Sequence, residues 1–95
     1  MKIEIVDFYP FIKPSKDLIG TLHIYIIGLD LDVRGIQVVK KKNNYTFYMP
    51  KKFDIQGDQK FWYPILSFTD NAKNIALNEE IRRKGTEFMR KRNEI

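Results

Sequence analysis

Few side chains in this sequence could do covalent or metal chemistry. His23 is the only histidine. It stands between Leu22 and Ile24 with no serine or second titratable partner near it in sequence, so it reads as a packed or surface-facing strand residue, not a general base. Asp30 and Asp32 have the i, i+2 spacing that puts two carboxylates on one strand face, as a divalent cation would want. No third acidic ligand lies nearby, and a turn that uses Asp accounts for the pair. There is no cysteine, which removes disulfides, thiolate metal sites and a cysteine nucleophile. Neither a GxGxxG sequence nor a P-loop occurs. The expectation is a binding protein without catalytic residues, metal, cofactor or small-molecule substrate.

The basic residues are the more informative set. Lys40, Lys41 and Lys42 are consecutive and belong at a hairpin tip, where compact ammonium groups contact phosphates without reading sequence. The alternative role there is a charged tip kept free of edge pairing. Lys51 and Lys52 follow a Met49-Pro50 corner that stiffens the backbone where the charge is offered. Arg82, Arg83, Lys84, Arg90, Lys91 and Arg92 supply six cations near the C-terminus. Glu79 to Arg83, Glu80 to Lys84 and Glu87 to Lys91 all have the i, i+4 salt-pair spacing, so part of that charge serves to solubilise a helix. Arg90-Lys91-Arg92, with only Glu94 nearby, is the least compensated cluster. Phe61, Trp62 and Tyr63 offer either stacking surface for single-stranded bases or core, and the strand alternation sends at least one inward.

The chain has 95 residues and a formal charge of +5. That length holds one domain, residues 1–95, and buries only about 60–70% of its extended surface, so a second protomer would help it. The aromatic share of 14% is high, with seven Phe and five Tyr. Residues 1–39 carry four Lys/Arg against five Asp/Glu, residues 40–60 six against two, and residues 61–95 seven against five. A near-neutral first half joined to basic later elements suits a scaffold that presents a cationic surface to a polyanion, although solubility alone also accounts for a high pI. The opening Met1-Lys2-Ile3-Glu4-Ile5 lacks the apolar run of a signal peptide, and no stretch approaches a membrane span. A soluble cytoplasmic protein is expected.

The elements that must position these charges follow from periodicity. Alternation from Lys2 to Phe8 predicts a first strand ending at Tyr9-Pro10, with Pro10 and Pro14 bracketing a loop. The run from Leu18 to Leu29 is too continuous for a half-exposed edge and predicts a central strand. Val33 to Val39 makes a third strand. Asn43-Asn44 tolerates positive φ, so Tyr45 to Met49 should return as the antiparallel partner. Lys51 to Gln59 reads as an exposed loop, and Lys60 to Leu66 as a short strand that Pro64 confines to an edge or bulge. Ser67 to Asp70 is a helix-start signal, after which Leu77, Ile81 and Phe88 form one stripe bordered by Asn74 and Lys84. Gly85-Thr86 leaves a continuous helix and one broken at Gly85 both open. The fold class expected is α+β: an antiparallel sheet of about five strands followed by a C-terminal helix.

The order Asp30-Leu31-Asp32-Val33-Arg34-Gly35-Ile36-Gln37-Val38-Val39, Tyr45-Thr46-Phe47-Tyr48-Met49-Pro50-Lys51-Lys52, Gly57-Asp58 and Phe61-Trp62-Tyr63-Pro64-Ile65 resembles the SpoVG (stage V sporulation protein G, septation regulator) family over most of the chain. The resemblance implies a small α+β fold, a homodimer, and DNA or RNA binding in bacterial gene regulation. Carried over by position, Met49, Pro50, Lys51 and Lys52 match its Met-Pro-basic motif, and Arg82, Arg83 and Lys84 lie in the helical region it implicates in binding. Lys51 replaces the serine usual after Met-Pro, no arginine follows Asp7, and the stretch before Pro64 is unusually aromatic. The alternative function is a protein-interaction module pairing through a sheet edge or the aromatics around Phe61 to Tyr63.

Overall fold

Leu22, His23 and Ile24 are buried in succession, which requires cover on both sides of the strand that holds them. The computed structural model describes residues 1–93, with the backbone alone at positions 53, 54 and 61–64. In it this segment is β2 (Leu18–Ile26), flanked by β1 (Ile3–Ser15) and β3 (Leu31–Lys41), with β4 (Asn44–Tyr48) beyond β3. Every neighbouring pair is antiparallel, so the four strands form a meander in chain order. β5 (Lys51–Gln56) and β6 (Gln59–Pro64) make a separate two-stranded ribbon, and α1 (Asn71–Asn93) follows. The fold is α+β, as the sequence predicts; among the described residues a four-stranded sheet and a two-stranded ribbon stand where one sheet of about five strands was expected.

The core lies between one sheet face and α1. Ile3, Leu22, Ile24, Ile26, Ile36 and Val38 point into it from the sheet, and Leu77, Ile81 and Met89 from the helix. The helix starts where Asp70 caps it: the carboxylate Oδ1 accepts the Ala72 N–H at 3.0 Å. Asn74 then clamps the preceding chain, accepting the Phe68 N–H at 2.7 Å and donating to the Phe68 carbonyl at 2.9 Å. Lys84 ties the middle of the helix to β1 by donating from Nζ to the Ile3 carbonyl at 2.6 Å.

Three local expectations are corrected, and one question left open is settled. β1 continues through Pro10 and Pro14 to Ser15, because an edge strand tolerates missing N–H donors and the register shifts between Pro10 and Ser15. The predicted loop over Lys51 to Gln59 is largely β5 and the turn at Gly57-Asp58, which returns the chain as β6. At the β3–β4 tip the positive φ falls on Lys42, at 55°, and not on an asparagine. The helix, left open at Gly85, runs unbroken to Asn93.

Gly85 is buried because the ring of Phe47 packs against it: a Cβ there would lie 2.7 Å from Phe47 Cζ. The inward line is therefore Leu77, Ile81, Gly85 and Met89, all four residues apart, with Phe88 only partly buried beside it. Gly85→Ala gains up to about 1 kcal/mol of helix propensity but must displace a packed ring at a cost of about 1–3 kcal/mol. A net loss of about 1 kcal/mol by urea unfolding is expected, and adding Phe47→Leu should recover it. A stabilised single variant would show that the ring yields freely.

Candidate nucleic-acid interface

Register fixes which side chains share a face. Lys40 pairs with Tyr45 across the β3–β4 hairpin, so both turn toward the helix side, and Lys40 Nζ sits 5.7 Å from the centre of the Tyr45 ring. The far end of α1 arrives at the same place: the Asn93 amide donates to the Tyr45 hydroxyl. Lys40, Asn43, Tyr45, Arg90 and Asn93 together line a concavity of about 400 Å³, with no carboxylate among the described residues of its wall. Residues fifty positions apart in sequence are thus combined into one donor-rich site. Lys41 and Lys42 stand exposed beside it on the tip.

From this end the seam between β4 and α1 carries further cations. Arg82 and Arg90 line one concavity with Asn44 and Tyr45, and Arg82 and Lys51 line the next with Phe47, Tyr48 and Leu77. Glu79 borders both concavities and Glu80 the first, so the positive character is strongest at the tip and weaker along the helix. Lys52 is exposed on β5, opposite Tyr63 in the ribbon. The side chains of Phe61, Trp62 and Tyr63, on which the stacking and aromatic-patch readings rest, lie outside the described residues.

The helical clusters divide by partner. Arg83 pairs with Glu80, not with Glu79 as its spacing suggested. Lys84 also lies 3.5 Å from Glu80 Oε1, and with the Ile3 carbonyl as acceptor its ammonium is committed within the fold. Lys91 meets Glu87 at 3.0 Å, as its spacing predicts. Arg92 lies over the Phe8 ring, 5.2 Å from its centre, on β1. Among the described residues Arg82 and Arg90 have no carboxylate partner, so the cluster that looked least compensated contributes one free cation, Arg90. Glu94 lies outside the described residues.

Glu80 is held below the ordinary glutamate value of 4.5, chiefly by the hydrogen bond from Arg83, and Glu87 likewise by Lys91. A carboxylate whose folded value is depressed contributes stability above its unfolded value and loses it as pH falls through the folded one. Thermal unfolding should therefore move to lower temperature on acidification below about pH 4.5, and a Glu80→Gln/Glu87→Gln variant should show less of this slope. An unchanged slope would show that these exposed pairs contribute nothing measurable.

The opposite face of the sheet is acidic at one end. His23, 5% exposed, places Nε2 3.0 Å from Asp32 Oδ1, an acceptor that fixes the ring proton on Nε2. Tyr25 donates to Asp30 Oδ1 at 2.7 Å. That hydrogen bond, then burial, then the charges of Asp30, Asp32 and Glu4 raise the tyrosine above its usual value. Asp30 and Asp32 therefore each hold a protein partner, and the described residues contain no metal-binding group of three or more His, Cys, Asp or Glu. The described residues also contain no helix long and apolar enough to cross a membrane.

No family model, no curated protein and no solved structure matches the chain.

Proposed function

We propose that this chain is a nucleic-acid-binding regulatory protein, not an enzyme, which grips DNA or RNA phosphates along the seam of β4 and α1. The observation that carries the reading is the meeting of Lys40 and Arg90, with Asn43, Asn93 and Tyr45, around a concavity to which the described residues contribute no carboxylate. Lys41, Lys42, Lys51, Lys52 and Arg82 extend it, while Arg83, Lys84, Lys91 and Arg92 serve first in ion pairs, a backbone tie and a ring contact. The charge distribution and the resemblance to the SpoVG family support the same reading. With the family likeness go a homodimer and a role in bacterial gene regulation in the cytoplasm.

The test is fluorescence anisotropy with labelled duplex DNA, single-stranded DNA and RNA at 50 and 200 mM salt. Four phosphate contacts give a slope of about −3.6 in log affinity against log salt on duplex DNA and about −2.8 on single strands, a loss of about 150-fold and about fiftyfold over that range. No binding to any of the three at low salt would remove the proposal.

A second reading, a protein-interaction module, is favoured by one feature. β4 is the outer strand of the sheet, and Asn44-Tyr45-Thr46-Phe47-Tyr48 carries no charge to discourage pairing. A pull-down that returns one protein partner and is insensitive to nuclease would support it.

A further inference from the structure

On the sheet face turned away from α1, the register aligns Tyr9, Thr21, Gln37 and Tyr48 in one row across the four strands. Tyr48 closes the row at the β4 edge and is 46% exposed. Beside it the chain turns through Met49-Pro50 into β5, which brings Lys51 alongside. Gly35, Gln37, Tyr48, Met49, Pro50 and Lys51 line a concavity of about 420 Å³. Among the described residues its wall combines an aromatic ring, one side-chain amide and one ammonium, with no carboxylate, and Gly35 adds no side chain to fill it.

We infer that this concavity receives one unpaired nucleobase of a single-stranded nucleic acid, stacked on Tyr48, with its polar edge on Gln37 and its phosphate toward Lys51. The inference rests on the nucleic-acid reading above and narrows its ligand to single strands. A base inside a duplex is stacked on both faces and paired along its edge, so it can offer neither surface; an unpaired base offers both. The Gln37 amide supplies a donor and an acceptor, which suits the mixed edge of any base. Lys51 favours an anionic guest over a cationic one, which argues against a cation held on the tyrosine face. Tyr48 was absent from the residues singled out by charge, because a stacking platform has no charge signature.

The experiment compares Tyr48→Ala, Tyr48→Phe and Gln37→Ala in the full chain against four probes. These are a short single-stranded DNA, the RNA of the same sequence, an abasic strand with the same phosphates, and a duplex. Tyr48→Ala should weaken both intact single strands about tenfold and leave the abasic strand and the duplex within about twofold of wild type. Tyr48→Phe keeps the ring and should keep the affinity, and Gln37→Ala should weaken both intact single strands while sparing the abasic strand. If Tyr48→Ala leaves single-strand affinity unchanged, or lowers the abasic and duplex probes equally, the base site is wrong while phosphate binding stands. If the wild-type chain binds none of the probes, the nucleic-acid reading falls and this inference with it. The half-exposed position of Tyr48 makes the alanine variant compatible with folding, and Gln37→Ala, at an exposed position, preserves the test if it is not.

Discussion

Replacing Gly20 by alanine is expected to lower the unfolding free energy by about 3 kcal/mol, the upper end of ordinary overpacking. A Cβ at this position would lie 2.4 Å from the backbone carbonyl oxygen of Tyr9 and 2.7 Å from the Phe8 ring. The first of these atoms belongs to the neighbouring strand, so relief requires β1 to move off β2 where Tyr9 pairs with Thr21 and Pro10 with Gly20. Against this, alanine gains only about 0.5–1 kcal/mol for restricting the unfolded chain. For a chain of this size the loss amounts to about 15 °C in Tm. Shortening the ring with Phe8→Leu should not restore stability, because the backbone contact remains, in contrast to the rescue expected at Gly85. Equal stability of Gly20→Ala and wild type in urea would contradict the close approach of the two strands.

The second large effect concerns binding. Lys40→Gln together with Arg90→Gln removes the two cations that meet at the hairpin tip. Two lost phosphate contacts should reduce the salt slope by about 1.8 and weaken affinity near 100 mM salt on the order of fiftyfold. The matched control is Arg83→Gln with Lys91→Gln, which removes the same formal charge from residues already paired with Glu80 and Glu87. That pair should cost less than about threefold, since cations already held by Glu80 and Glu87 make no phosphate contact and act only through the net charge. Both variants alter exposed positions, so neither should shift the thermal midpoint much. Equal losses from the two would mean that net charge, not the tip constellation, sets affinity.

How far each feature was legible in the sequence depended on whether local pattern or tertiary contact decides it. β2 could be read because Ile19, Leu22, Ile24, Tyr25 and Ile26 crowd apolar, β-branched and aromatic residues into one short segment, with His23 the polar residue buried among them. β5 was missed although Phe53 and Ile55 alternate with Lys52, Asp54 and Gln56, because two apolar positions make too short a pattern beside the two lysines; the second usable signal was Gly57-Asp58 as a two-residue hairpin turn. Pro10 and Pro14 suggested a loop, and the strand passed through them because it is an edge. Gly85 carried the signature of a helix end, yet its place is dictated by the Phe47 ring, 38 positions earlier in the chain.

The same division holds for the site. Spacing identified the Lys84 and Lys91 ion pairs and assigned Arg83 one turn position away from its actual partner, Glu80. It could not show that Lys84 reaches the Ile3 carbonyl or that Arg92 lies on Phe8. Nor could it show that Lys40 and Arg90 share one concavity, which depends on where the helix end crosses the hairpin. The charges were visible as a list of residues; their selection into free and occupied cations is a property of the fold.

The most direct test of the account is an amide chemical-shift titration of the full chain with a short single-stranded oligonucleotide in low salt. Perturbations are expected at residues 40–45 and 89–93, at the hairpin tip and helix end, and at residues 35–37 and 48–51 beside them. They should collapse as salt is raised. Shifts confined to the acidic end of the sheet around Glu4, Asp30 and Asp32, or none at all, would contradict it.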